Sequence, residues 1–391
     1  MNAPNILAFA YACEPGKGSE PGAGWAMARV AARIGPTWVI TRANNRAAIE
    51  SALPSIPEQD RLNFLYVDLP DRLMSWKKGK RGVHLYYLLW QFAALRLARS
   101  VLRQQEFSLA WHITIANVWL GSAAPLTGLP FVYGPVGGGV GTSWRLLPSL
   151  GVSGAAFEVA RIVVRAASRY LNPLCGLAMR RAQVVLVQNE ETLNWMPASL
   201  RGKAVVEPNA IVDAQPPERA GRGDRPPTAL FAGELIPLKG VALAIRAIAL
   251  APEWRLLICG KGRDEPRLQA TARRLGVEGR VRFLGQLPRD EVLRLMAEDA
   301  DVLLFPSLHD EGPMVVAEAL TIGLPVVCLD RGGARGFGGI GVAAGNVRQT
   351  SARLARAMRA APVQPPSSRF SLDAASQRFA DLLRSRGLLD D

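Results

Sequence analysis

Phe305-Pro-Ser-Leu-His-Asp-Glu-Gly-Pro-Met-Val-Val-Ala-Glu-Ala-Leu-Thr-Ile-Gly-Leu-Pro-Val-Val327 carries the most information in this 391-residue chain. An apolar run, Val302 to Phe305, reads as a buried strand. A polar loop follows. A helix over Pro313–Ile322 begins with proline in its first turn, where the missing N–H costs nothing. Gly323 and Pro325 then punctuate the chain before a second apolar run, Pro325–Leu329. A strand, a helix and another strand in this order predict a parallel sheet covered by helices.

The same alternation extends outward. Ala229–Ala232, Arg255–Cys259 and Val281–Leu284 read as strands. Gly240–Leu250, Glu265–Leu275 and Asp290–Glu298 read as helices. Upstream, Gln215–Thr228 is rich in Pro, Arg and Gly and reads as a linker. Before it lies a second set. Strands are expected at Asn5–Tyr11, Thr37–Thr41, Leu62–Val67, Leu109–Ile113, Pro130–Tyr133 and Val184–Gln188. Helices are expected at Trp25–Ile34 and Val83–Gln104, with glycine-rich loops at Gly16–Gly24 and Gly134–Gly139. The expectation is an α/β protein of two doubly wound domains, 1–214 and 215–370. A last helix within 371–391 would pack back toward the first domain. A cleft between the carboxyl ends of two such sheets is where ligands bind.

Bulk composition narrows the class. Half the residues are hydrophobic and a fifth charged, as in a globular protein. Cys13, Cys175, Cys259 and Cys328 are far apart and read as free thiols. The three histidines have no metal-motif spacing. The first residues lack the pattern of a signal peptide, and no unbroken apolar run is long enough to span a bilayer. The expected location is cytoplasmic. The net charge of +14 favours a polyanionic partner.

Within the quoted stretch, Asp310 sits in the loop and Glu318 eight positions on, inside the helix. Paired carboxylates accept hydrogen bonds from vicinal hydroxyls, and a helix start offers N–H groups to phosphate. The acids could equally stabilise the helix start through its dipole.

The stretch resembles the donor-site signature of glycosyltransferase family 4, in which two glutamates flank seven residues before Glu-Ala-x-x-x-Gly-x-Pro-Val-Val. Here Asp310 takes the first place and Glu318 the second. Gly233-Glu-Leu-Ile-Pro-Leu-Lys-Gly240 resembles the family's Gly-Arg-Leu-x-x-x-Lys-Gly, with Glu234 where arginine is usual. The resemblance covers most of residues 229–333 and implies the GT-B fold, two Rossmann-like domains facing across a cleft. It also implies retaining transfer of a hexose-type sugar from a UDP- or GDP-linked donor, without an essential metal. By it, Glu318 would hold the ribose and Lys239 the diphosphate, with Arg263 beyond Gly260 as a substitute cation beside Gly233. Asp310 would hold the transferred sugar, together with the segment Glu311, Gly312, Pro313, Met314 and Val315, and with His309 nearby. Tyr11 to Trp25 resembles the opening loop of one family branch, so Gly16 and Gly18 would line the cleft. His112 would face the reacting sugar or acceptor. The branch resembled implies bacterial exopolysaccharide or lipopolysaccharide synthesis, on a lipid-linked glycan or saccharide acceptor.

Residues 72–103 hold eight Lys or Arg and no acid, including Trp76-Lys-Lys-Gly-Lys-Arg81. With Tyr86, Tyr87, Trp90 and Phe92 beside Arg96, Arg99 and Arg103, this segment is expected to meet an anionic membrane from the cytoplasmic side. Arg161, Arg165 and Arg169, at helical spacing, form a second candidate. Three other readings stay open: a nucleotide-binding protein of this fold without transferase activity, a nucleotide-sugar epimerase, and, more remotely, a basic nucleic-acid-binding protein. No nucleic-acid-binding module is recognisable, so nucleic acid is not an expected partner.

Overall fold

The computed structural model describes residues 4–70, 82–115, 117–213 and 217–389. The chain divides into two compact units. One comprises Met1–Gly139, Arg165–Ile211 and Leu372–Asp391; the other comprises Val140–Val164 and Val212–Ser371.

The first unit is a seven-stranded sheet. Its strands are β1 (Ile6–Phe9), β2 (Thr37–Thr41), β3 (Leu62–Tyr66), β4 (Leu109–His112), β5 (Phe131–Val136), β6 (Val184–Val187) and β7 (Ala204–Val206). They lie in the order β3-β2-β1-β4-β5-β6-β7, with every pairing parallel. Both faces are covered, which is why the strands read as continuous apolar runs. Ile6, Ala8 and Ala10 join one core, with Trp25, Met27 and Trp111. Leu7, Phe9 and Tyr11 join the other, with Tyr86, Tyr87 and Trp90. The helix Leu372–Ser385 packs on the helix Ser19–Ile34, and its Phe379 ring lies 5.5 Å from that of Trp111.

The second unit has six parallel strands, β8 (Thr228–Ala232), β9 (Arg255–Cys259), β10 (Val281–Gly285), β11 (Val302–Phe305), β12 (Val326–Leu329) and β13 (Ile340–Val342). Their order is β10-β9-β8-β11-β12-β13. Each sheet thus starts at an inner strand, winds outward one way, then returns and winds the other, leaving a crevice at the reversal. Asp301 fixes the entry to β8 by accepting from Thr228 N at 2.8 Å and Arg225 Nη1 at 2.7 Å. Gly323, in the left-handed region at φ 81°, closes the helix Met314–Ile322.

Several sequence expectations are corrected. Residues 140–164, expected in the first domain, belong to the second unit, tied there by bonds such as that from the Arg267 side chain, Nη1, to Ser149 O at 3.0 Å. The helix expected from Trp25 starts at Ser19, absorbing the second half of the glycine-rich loop. β5 runs through Gly134-Pro135-Val136 where a loop was expected. A Cβ at Gly134 would stand 2.2 Å from Leu186 O, so glycine here serves the close approach of β6 and not a turn. Pro313 precedes the first helical residue, Met314.

Tyr86, Tyr87 and Trp90, expected on a membrane-facing surface, are buried in the core of the first unit. Among the named aromatic residues of that helix, Phe92 is exposed, as are Arg96, Arg99 and Arg103. Trp76 to Arg81 lie outside the described residues. One helical stretch among the described residues, Trp144–Ser168, is long and apolar enough by composition to cross a membrane. Its apolar run is interrupted by Glu158, Arg161 and Arg165, so no unbroken run showed in the sequence. All four cysteines are free and buried.

Candidate active site

The crevice of the second unit opens between β8 and β11, paired through Ala229–Val302 and Leu230–Leu303. The loop after β8 carries Gly233, Glu234 and Lys239; the loop after β11 carries His309 to Pro313. The two are bonded backbone to backbone, Leu308 N donating to Leu238 O at 2.8 Å. Gly240 makes this approach possible. It is left-handed at φ 69°, and a Cβ there would stand 2.0 Å from Pro306 O. Lys239 is thereby brought to Asp310, Nζ to Oδ2 2.5 Å, with both side chains largely shielded from solvent. Lys239 Nζ also lies 5.8 Å from the centroid of the Phe305 ring.

Glu318 faces inward on the helix Met314–Ile322 and is buried. Arg289, at the start of the helix Arg289–Glu298, donates from Nε to Glu318 Oε1 at 2.6 Å. Burial pushes the Glu318 carboxyl above the usual glutamate range; the Arg289 charge and hydrogen bond pull it down and offset only part of that shift.

His309 is held by the helix Gly151–Leu171 and by the segment that precedes it. Its Nδ1 lies 3.0 Å from Val140 O and its Nε2 3.3 Å from Arg161 Nη1. A carbonyl can only accept and a guanidinium can only donate, so Nδ1 carries the proton and Nε2 accepts. Burial and the Arg161 charge both favour this neutral imidazole by lowering its pKa. Arg161 is oriented by two bonds to Glu158, at 2.8 and 2.7 Å. Glu311 accepts from Val140 N at 3.2 Å.

A third loop, after β9, packs its glycines on the first. Cβ atoms at Gly260 and Gly262 would stand 1.9 Å from Gly233 O and 2.2 Å from Leu235 O. Glu234 is exposed on that loop, and Arg263 is exposed beyond Gly262. Arg263 forms no ion pair among the described residues, so its charge is available to an anion.

The remaining sequence candidates lie in the first unit, at its own strand reversal. His112 ends β4 beside Phe9 of β1. It is fully buried, and that burial lowers its pKa to about 4, so it is neutral at physiological pH. Three residues on, Ile115 is left-handed at φ 57°, a strained conformation for a β-branched residue. Gly16 and Gly18 are exposed, and Gly18 is the N-cap of the helix Ser19–Ile34.

Arg289, Glu158 and Arg161 were not among the sequence candidates for this site. Arg289 belongs to no motif. Arg161 showed only as one of three arginines at helical spacing.

Residues 215–361 match the family described as glycosyl transferases group 1. The matched residues lie within the second unit. Lys239, Arg289, Asp310 and Glu318 all fall inside it. Among curated proteins, the chain is 29% identical over 175 residues to a 2-deoxystreptamine glucosyltransferase of Streptomyces kanamyceticus, covering 40% of this chain and 45% of that one. It is 26% identical over 303 residues to a GDP-mannose-dependent monoacylated alpha-(1-6)-phosphatidylinositol monomannoside mannosyltransferase of Corynebacterium glutamicum, covering 70% and 76%. The chain spans less than half the length of the curated relatives it matches first. The fold of Anabaena Alr3699/HepE, solved in complex with UDP and glucose, superposes with a TM-score of 0.58 at 19% identity, covering 98% of this chain and 100% of that one. The two doubly wound sheets are those of the GT-B fold.

Proposed function

We propose that the chain is a retaining glycosyltransferase that moves a hexose-type sugar from a UDP- or GDP-linked donor to a hydroxyl of a lipid-linked or saccharide acceptor. What supports the reading most is the meeting of Lys239 and Asp310, a cation for phosphate and an acid for sugar hydroxyls, on two loops of one crevice. Glu318 accepts from the ribose hydroxyls, kept ionised by Arg289. Lys239 exchanges its contact with Asp310 for the diphosphate, aided by Arg263. Asp310 is then free for the sugar, alongside the backbone from Glu311 to Met314.

In the reaction the bond from the anomeric carbon to the phosphate oxygen breaks and the acceptor oxygen bonds the same face of that carbon. The acceptor proton passes to the departing phosphate oxygen. Positive charge at Lys239 stabilises that leaving group, so positioning and electrostatics carry the catalysis and no essential metal is required. The chain works at the inner face of the cytoplasmic membrane, with Arg96, Arg99 and Arg103 attracted to anionic lipid. Its place is in bacterial surface-polysaccharide assembly.

Calorimetric titration of UDP, GDP and ADP into the wild type and Glu318→Ala tests the reading. One nucleotide should bind the wild type and fail to bind the variant. A folded wild type that binds none of the three overturns it.

A further inference from the structure

The helix Gly151–Leu171 is built inside out. Between Gly151 and Ser168 its only charged residues are Glu158, Arg161 and Arg165, and with Gly154 they recur at spacings of three and four, which places them on one face. That face is turned into the protein. Glu158 is wholly buried and grips Arg161, Arg161 reaches Val140 O and His309, and a Cβ on Gly154 would come within 3.2 Å of Pro237.

The opposite face holds Val152, Val159 and Val163; Phe157 and Val164 lie on one side of the helix, and all five are exposed, Val152 to 91%. Of the 14 exposed large hydrophobic residues among the described residues, eight lie between Trp144 and Leu171. A soluble helix of this composition would bury that stripe and expose its charges. An apolar face this continuous marks an interaction surface.

We propose that this face docks into the headgroup–acyl boundary of an anionic bilayer, with the helix lying in the membrane plane. Spanning is excluded by the inward face: crossing would tear Glu158 and Arg161 from the loop that holds His309. Two observations favour lipid over a second copy of the chain. Trp144, 74% exposed, and the exposed Arg145 lie just ahead of the helix in sequence, and tryptophan prefers the membrane–water boundary. A self-contact would also bring together two chains of net charge +14 with no exposed acid on the stripe to oppose Arg145, whereas anionic lipid supplies the counter-charge. The inference rests on the peripheral-membrane reading above but places the contact on different residues.

The test is co-sedimentation of the full chain with phosphatidylglycerol-containing vesicles and with pure phosphatidylcholine vesicles. Variants are Val159→Asp with Val163→Asp, Val163→Leu, and Phe92→Asp on the other basic helix. Both valines are exposed, so the fold tolerates the change; far-ultraviolet dichroism and UDP calorimetry verify that it does. The wild type and Val163→Leu should pellet with anionic vesicles, and the double aspartate variant should lose about tenfold or more in partitioning. Phe92→Asp should change it by less than about twofold. Loss confined to Phe92→Asp overturns the assignment to this helix and leaves the peripheral reading standing. A wild type that ignores both vesicles overturns both, while binding of UDP, GDP or ADP judges the transferase reading separately. A wild-type dimer that the double variant converts to monomer, without vesicle binding, gives the face to a second copy and overturns the proposal.

Discussion

Arg289 Nε and Glu318 Oε1 are 2.6 Å apart across 29 positions of sequence, a cation set against the upward pull of burial on that carboxyl. Removing that cation has a signed consequence. Glu318 already titrates above its ordinary 4.5. Without Arg289 it takes up its proton at still higher pH and stops accepting from ribose as pH falls. In Arg289→Ala, affinity for the preferred nucleotide should drop about tenfold near neutrality, and the acid limb of its pH profile should move upward. Calorimetry between about pH 8 and about pH 5 reads both effects. An unmoved profile would mean that Glu318 does not touch the nucleotide.

Lys239 and Asp310 make opposite predictions for one ligand. UDP carries the diphosphate but no sugar. Lys239→Met should weaken UDP about tenfold or more. Asp310→Asn should leave UDP affinity equal or higher, because Lys239 is released, yet abolish transfer. Parallel loss of UDP binding in both variants would show that the pair acts as a structural strut.

Gly240→Ala should disturb that pair from a distance. The new Cβ meets Pro306 O at 2.0 Å in a left-handed conformation. Destabilisation of about 2–4 kcal/mol is expected, with loss of nucleotide binding. Thermal denaturation compared with Gly276→Ala, also left-handed but with open space around it, separates the collision from the dihedral cost.

Arg161→Ala leaves Glu158 buried and unpaired. It should cost about 3 kcal/mol, and adding Glu158→Gln should recover part of that loss. A double-mutant cycle by chemical denaturation measures the coupling. Additive effects would dissolve the proposed link.

In the first unit, Glu58 is buried between Arg29 and Arg33. Burial alone would raise its pKa, but the hydrogen bonds and charges of the two arginines outweigh it and hold the carboxyl below the ordinary 4.5. A depressed carboxylate stabilises the fold above its unfolded pKa and loses that effect as pH falls through the folded value. Glu58→Gln should therefore cost about 3 kcal/mol at neutral pH and less at a pH well below the ordinary 4.5. Melting curves at both pH values show whether the gap closes.

The second unit was legible in the sequence because its signals are local. Ala229–Ala232 and Val302–Phe305 are short apolar runs bounded by glycine and proline, and both are strands. Asp310, Glu318 and Lys239 stood out through loop spacing and resemblance. Arg289 did not, since it enters from another helix and no local pattern announces a partner 29 residues away. Direction was the harder property. Periodicity shows that Val83–Leu102 and Gly151–Leu171 each have two faces, but not which face looks inward. Tyr86 and Trp90 went to the core, while Val159 and Val163 went to the surface. Gly134 read as part of a loop because composition cannot distinguish a glycine that bends the chain from one that admits a neighbouring strand.

The helix Leu372–Ser385 gives the molecule a history as well as a shape. Phe379 and Leu383 complete the core in which Met27 and Trp111 lie, yet the ribosome makes them after the whole of the second unit. Synthesis at roughly 5–20 residues per second therefore leaves the first unit waiting, its helix Ser19–Ile34 uncovered, while the second unit emerges and closes on its own. The part of the chain born first is the last to be finished, and a nascent chain stalled before Leu372 presents chaperones with an open apolar groove.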